Sequence, residues 1–322
     1  METVLSVKNL SISFRRYAEG ASFSGGLSTA LSVHDVQVIS SLDIEIKAGE
    51  LAAVIGSSGS GKSLLACALL GILPANAHVS GEILYRQKPL DRRLIETLRG
   101  DEIVLIPQSI TNLDPLMKTG KQVAGTRHTE SAVKKVFKRY GLPDSALKKY
   151  PHQLSGGMAR RALICAAVLG NPRLIIADEP TPGLSSELAD ETARSLRNLA
   201  DGGCAVMLIT HDINLAVKTA DSVSIFYAGT TVERALASDF STPALLRHPY
   251  TKALWNALPQ NGFAALPGGQ PAAKDNASPC LFLPRCDMAG PLCQNAAAVE
   301  KGGRAPPLRE LRSGLVRCFY AA

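Results

Sequence analysis

Gly56-Ser57-Ser58-Gly59-Ser60-Gly61-Lys62-Ser63 sets glycines, a lysine and a terminal hydroxyl in the spacing G-x-x-x-x-G-K-[ST]. Glycines there let the backbone fold tightly, so that successive N–H groups converge on phosphate oxygens. Lys62 supplies a full positive charge for the β- and γ-phosphates, and the Ser63 hydroxyl is a hard oxygen ligand for Mg²⁺. Leu64 opens the apolar run behind the loop and belongs to the same binding segment. A second site of chemistry is Leu174-Ile175-Ile176-Ala177-Asp178-Glu179, an apolar stretch ending in two carboxylates. Asp178 is placed to hold Mg²⁺ through water, and Glu179, one residue on, to take a proton from an attacking water. A third is the spacing C-x5-C-x6-C-x24-C formed by Cys280, Cys286, Cys293 and Cys318. Four thiolates can satisfy a tetrahedral zinc ion or a four-iron cluster. The short knuckles usual for zinc are missing, and the wider gaps suit a larger cluster. Metal-free thiols in a small core are the third reading. Arg285, inside this segment, could neutralise the charge of a cluster; the preferred reading is an exposed cation.

These groups need elements to hold them. Leu51 to Ile55 is a short continuous apolar run, as expected of a buried parallel strand. The helical run LLACALLGIL follows the glycine loop, so phosphate meets the positive end of a helix. Leu174–Ala177 and Ala205–Thr210 read as two further buried strands, each after a helical stretch, which is the alternation of an α/β sheet. Residues 2–14 and 36–46 alternate apolar with polar and read as strands. Residues 91–150 are more polar and read as mostly helical. Residues 15–33 read as a Gly/Ser-rich loop and 259–279 as an Ala/Gly/Pro-rich linker.

The chain has 322 residues, 46% of them hydrophobic and 20% charged, which can bury a sizeable core and excludes wholesale disorder. Its longest apolar run, Leu64 to Leu73, is half of the roughly 20 residues a bilayer requires. The opening METVLSVKNL lacks a basic n-region followed by an apolar h-region, so no signal peptide is expected. The net charge of +7 is spread over the whole chain and calls for no nucleic-acid partner. The odd count of seven cysteines argues against a secreted disulfide framework.

Leu154-Ser155-Gly156-Gly157-Met158 resembles the LSGGQ signature of ATP-binding cassette (ABC) ATPases. In that family the serine and glycines offer donors to the γ-phosphate of a nucleotide held by a partner cassette, so two cassettes close head to tail over two ATP molecules. The other elements occur in order. Gln108, in IPQ, is similar to the Q-loop glutamine that reaches Mg²⁺ and the attacking water. His211, in LITHD, is similar to the switch histidine that contacts the γ-phosphate. Phe14 best fits the aromatic that stacks on adenine, with Tyr17 as the alternative. Residues 181–185, TPGLS, stand at the D-loop, where the family usually carries Asp and this chain has Ser185. That departure puts equal hydrolysis at the two sites in doubt.

PHQLSGGM and HPYTKAL, His248 to Leu254, resemble the ATPases of oligopeptide, dipeptide and nickel importers, some of which carry a [4Fe–4S] cluster on a similar cysteine tail. The resemblance covers nearly the whole chain. It implies an α/β P-loop cassette with a RecA-like core, an antiparallel β subdomain and a helical signature subdomain at about 91–165. The cassette would occupy 1–240 and a Cys-rich extension 241–322. It also implies ATP, Mg²⁺ and an iron–sulfur cluster as cofactors, and a place on the cytoplasmic face of the inner membrane. The implied partners are two transmembrane permeases, a second cassette and an extracytoplasmic binding protein. The implied activity is ATP hydrolysis driving peptide import, with nickel or a metal chelate as the alternative cargo. A soluble ABC ATPase acting on nucleic acid or ribosomes would share the cassette motifs. Such a protein usually has a second phosphate loop or a long coiled-coil insertion, and this chain has neither. A regulatory subunit with little turnover is a further alternative, against which Glu179 argues.

Overall fold

The computed structural model describes residues 2–17, 33–271, 280–294 and 306–321. In chain order the first elements are β1 (Thr3–Tyr17), β2 (Val33–Lys47), β3 (Leu51–Gly56), α1 (Lys62–Leu69), β4 (Ala77–Tyr85) and β5 (Lys88–Pro89). Next come α2 (Arg92–Leu98), β6 (Ile103–Ile106), α3 (Thr119–Ala124), α4 (Glu130–Arg139), α5 (Gly156–Val168) and β7 (Leu174–Asp178). Then follow α6 (Ser186–Asp201), β8 (Ala205–Thr210), α7 (Ile213–Thr219), β9 (Ser222–Tyr227) and β10 (Thr230–Leu236). The last are α8 (Pro249–Asn256), α9 (Pro291–Gln294), β11 (Arg309–Leu311) and β12 (Gly314–Val316).

The chain forms two compact units. The first comprises Met1–Leu5, Ile46–Ile55 and Tyr85–Val223. Its parallel sheet runs β3-β8-β7-β6, with Leu51 opposite Val206, Leu174 opposite Ala205, and Ile103 opposite Leu174. Leu174 to Ala177 and all of β8 are buried, as continuous apolar strands must be when both faces are covered. On one face Ile164 and Val168 of α5 and Leu196 and Ala200 of α6 join Ile175, Val206 and Leu208 in one cluster. The i, i+4 spacing of Leu196 and Ala200 is what lets a single stripe of α6 do this. A second cluster sets Val133 and Phe137 of α4 against Ala162 and Cys165 of α5. Thr129 caps α4 by accepting from the Ala132 N–H at 3.3 Å.

The second unit comprises Ser6–Glu45, Gly56–Leu84 and Ser224–Ala322. In it β2-β1-β4 lie side by side, and β9, β10, β12 and β11 pair in that order. β12 runs antiparallel to β10, with Val316 opposite Glu233. Beside this pair lies a buried ion cluster. The Arg247 guanidinium donates to Glu233 at 3.3 Å, to Asp239 at 3.0 Å, to the Leu311 carbonyl at 2.7 Å and to Ser313 at 3.0 Å. A Cβ on Gly314 would fall 2.8 Å from that guanidinium, so the turn into β12 admits no side chain there.

Three expectations change. Ile103–Ile106 is a strand of the parallel sheet inside the stretch read as helical, because its four apolar residues complete the edge beside β7. Arg15 to Tyr17 extend β1, while the remainder of the expected loop, 18–32, lies outside the described residues. Of the expected linker, 272–279 also lies outside them; before it, Pro259–Asn261 form a 3-10 turn. Among the described residues no helix is long and apolar enough to cross a membrane.

Candidate functional site

In the second unit, Gly56 to Ser63 wraps back on its own lysine. The Lys62 ammonium is buried and donates to the Gly56 carbonyl at 2.8 Å and the Ser57 carbonyl at 3.0 Å. Gly59 and Gly61 hold φ of 78° and 93°, a region where side chains other than glycine are strained. At Gly56 a Cβ would lie 2.6 Å from the Phe226 carbonyl, so the loop starts hard against β9. Gly61 is the N-cap of α1, and Lys62 and Ser63 begin its first turn. Ser57, Ser58 and Ser60 fill the intervening loop positions. Leu64 follows in α1, and Phe14 sits half-buried on β1.

In the first unit, Asp178 ends β7 and Glu179 follows it. Glu179 has φ of +44°, unusual for a residue with a Cβ, and its N–H donates to the Ile209 carbonyl at 2.9 Å. That turn brings its carboxylate to His211, just past β8. Nδ1 of His211 donates to Glu179 Oε2 at 2.9 Å. The carboxylate is 18% exposed and the imidazole 61%, so the pair is anchored at the acid and open at the ring.

Leu154 to Met158 also lies in the first unit. Ser155 is the N-cap of α5, its hydroxyl accepting from the Met158 N–H at 3.3 Å. A Cβ on Gly157 would touch Leu188 of α6 at 3.1 Å, whereas one on Gly156 would meet nothing within 4 Å. Packing within the chain therefore accounts for Gly157 and not for Gly156. Ser185 caps α6, its hydroxyl accepting from the Leu188 N–H at 3.5 Å.

One residue of this region escapes sequence reading. Arg160 of α5 is buried and donates to the Pro107 carbonyl at 2.8 Å and the Gln108 carbonyl at 2.7 Å. It ties the backbone of Gln108 to the helix that begins at the signature segment. Burial pushes its pKa down, which makes those two carbonyls necessary partners. No local pattern marks it; only its place on the inward face of α5 could have.

The cysteine tail departs from expectation. Cys280, Cys286, Cys293 and Cys318 are all free thiols. Among the described residues no group of three or more His, Cys, Asp and Glu side chains is arranged to hold a metal ion. Burial pushes the Cys280 thiol up to about 11, with the neighbouring thiols adding to the rise, and burial likewise raises Cys286 and Cys318. The four thiols neighbour one another, and among the described residues they are not arranged as the ligand set of an iron–sulfur cluster or a zinc ion. Arg285 is a second correction. It donates from Nε to the Pro267 carbonyl at 2.8 Å and from its terminal nitrogens to the Leu266 carbonyl and the Tyr227 hydroxyl, at 3.3 Å and 3.4 Å.

Ser63 offers a hydroxyl, Asp178 a carboxylate and Gln108 an amide oxygen, each a hard donor of the kind Mg²⁺ prefers. A family model described as ABC transporter matches residues 39–182, and one described as the C-terminal region of oligopeptide/dipeptide transporters matches 232–293. The probable peptide ABC transporter ATP-binding protein y4tR of Sinorhizobium fredii is 33% identical, over 86% of this chain and 87% of its own. The oligopeptide transport ATP-binding protein OppD of Salmonella typhimurium is 33% identical, over 88% of each chain. The dipeptide transport ATP-binding protein DppD of Haemophilus influenzae is 33% identical, over 89% of this chain and 93% of its own. Among solved structures, a dimeric ATP-binding cassette, MJ0796 bound to ADP and Pi, matches with a TM-score of 0.59 at 24% identity, over 72% of this chain and 98% of its own. That last likeness concerns the fold.

Proposed function

We propose, because the chain belongs to the family of ABC transporter ATP-binding proteins, that it is the ATP-hydrolysing subunit of a peptide importer. The relatives similar over nearly their whole length are peptide, oligopeptide and dipeptide transport proteins. The match at 232–293 extends the likeness into the C-terminal region. The cassette is assigned to 1–240, with its helical arm at about 91–165, and the extension to 241–322. Peptide is the cargo this favours over nickel or a metal chelate.

The observation that carries the hydrolytic reading is the Glu179–His211 pair, an acid and an imidazole 2.9 Å apart just past two parallel strands. Glu179 accepts the proton of the water that attacks the γ-phosphorus, and ADP leaves with the bond electrons. His211 orients that carboxylate and contacts the γ-phosphate through its exposed edge. Lys62 exchanges its two loop carbonyls for phosphate oxygens. When bound, Mg²⁺ neutralises charge on the β- and γ-phosphates, and Ser63, Asp178 and Gln108 would hold it. Phe14 stacks on adenine. Leu154 to Met158 face the nucleotide of a second cassette, and the open space at Gly156 supports that role. The remaining partners are two transmembrane permeases and an extracytoplasmic binding protein. The chain then works as a peripheral subunit on the cytoplasmic face of the membrane.

The test is Glu179→Gln in the assembled transporter. Turnover is expected to fall by roughly 10²- to 10⁴-fold while ATP still binds. Undiminished turnover would remove Glu179 as the base.

A further inference from the structure

Ser57 of the phosphate loop is held from the C-terminal extension as well as from within the loop. Its hydroxyl donates to Oε1 of Gln270. The phenol of Tyr250 neighbours it: burial raises that group, and Ser57 opposes the rise. Its carbonyl accepts from Lys62 at 3.0 Å. Neither outside contact belongs to the loop itself.

Both outside partners are fixed by the extension. His248 donates its N–H to Glu233 at 2.7 Å and accepts the Tyr250 N–H on Nδ1 at 3.0 Å, which sets the first turn of α8. The Tyr250 ring is 2% exposed and lies 4.5 Å from Tyr227 and 5.5 Å from Phe282, centroid to centroid. Phe282 meets Tyr227 edge-on at 5.3 Å. On the other side, Arg285 grips the Leu266 and Pro267 carbonyls and stands over the Tyr227 ring at 5.9 Å, which positions the segment that ends in Gln270.

A loop whose N–H groups must converge on phosphate loses conformational entropy when it orders, and contacts that order it beforehand lower that cost. We propose that Tyr250 and Gln270 are positioning residues for the phosphate loop, clasping Ser57 so that triphosphate meets a preformed cradle, with Arg285 acting through Gln270. This rests on the nucleotide-binding reading of Gly56 to Ser63.

The experiment uses the full chain and displacement of a fluorescent ATP analogue by ATP and, separately, by inorganic tripolyphosphate. Tyr250→Phe and Gln270→Ala are each expected to weaken both ligands by the same factor, about 2- to 10-fold, the worth of one neutral hydrogen bond. In the assembled transporter the KM for ATP rises by that factor and kcat holds. Arg285→Ala is expected to weaken ATP in the wild-type background and to add nothing on top of Gln270→Ala. The thermal midpoint of each nucleotide-free variant checks folding, and Gln270→Ala carries the test if Tyr250→Phe does not fold. Wild-type affinity in both variants overturns the clasp, as does a loss confined to ATP with tripolyphosphate unaffected. A wild-type chain that binds neither ligand overturns the underlying reading of the loop instead.

Discussion

Two buried side chains, His248 and Arg160, decide more than their positions in sequence announce. Burial lowers His248 to about 3, far below the roughly 6.5 of an exposed imidazole. Between those values the unfolded chain binds a proton that the folded chain does not. The stability from this neutral imidazole is therefore complete above about pH 6.5 and drains away as pH falls toward 3, by about 1.4 kcal/mol per pH unit. Urea midpoints at pH 7 and pH 5 should differ in that sense, and His248→Asn should flatten the difference. For Arg160, truncation to Ala strands the Pro107 and Gln108 carbonyls. A loss of about 1–3 kcal/mol in chemical denaturation is expected, together with lower ATPase activity in the assembled transporter. Gly56 to Ser63 and Leu154 to Met158 stand out in the sequence because each is one contiguous run of residues. Arg160, Arg285 and Tyr250 do not, because each acts on backbone or side chains far away in sequence.

At the scale of elements, the hydroxyl caps matter most. Ser155 and Ser185 each hold the N-terminus of a long helix, α5 and α6. Ser185→Ala should cost about 1 kcal/mol in urea unfolding, whereas Ser185→Asp should keep the cap, since aspartate accepts from the same N–H. If the alanine variant matched wild type, the cap would have no energetic role. The buried strands β3, β7 and β8 were legible from continuous apolar runs, and β1 and β2 from alternation. β6 was not: four apolar residues ahead of Pro107 carry no period, and only pairing with β7 makes them a strand. The cysteine tail is a different case. Spacing counts residues along the chain, while ligation needs thiolates converging in space.

At the scale of the whole molecule, Ser185 bears on the assembled transporter. If a second, different cassette supplies the Asp this chain lacks, the two sites hydrolyse unequally. Glu179→Gln here and the matching change in the partner should then give different residual ATPase rates; equal losses would refute the asymmetry. The pairing of β12 with β10 reaches further still. Removing 306–321 would strip the Leu311 and Ser313 contacts from Arg247, leave Asp43 without the Arg317 guanidinium, and bare the backbone edge of β10. An open strand edge is a template for addition of another chain. A cassette trimmed to its motif-bearing body should therefore scatter light at micromolar concentration where the full chain stays clear. Anyone seeking a smaller, simpler ATPase from this sequence would be manufacturing a seed for aggregates.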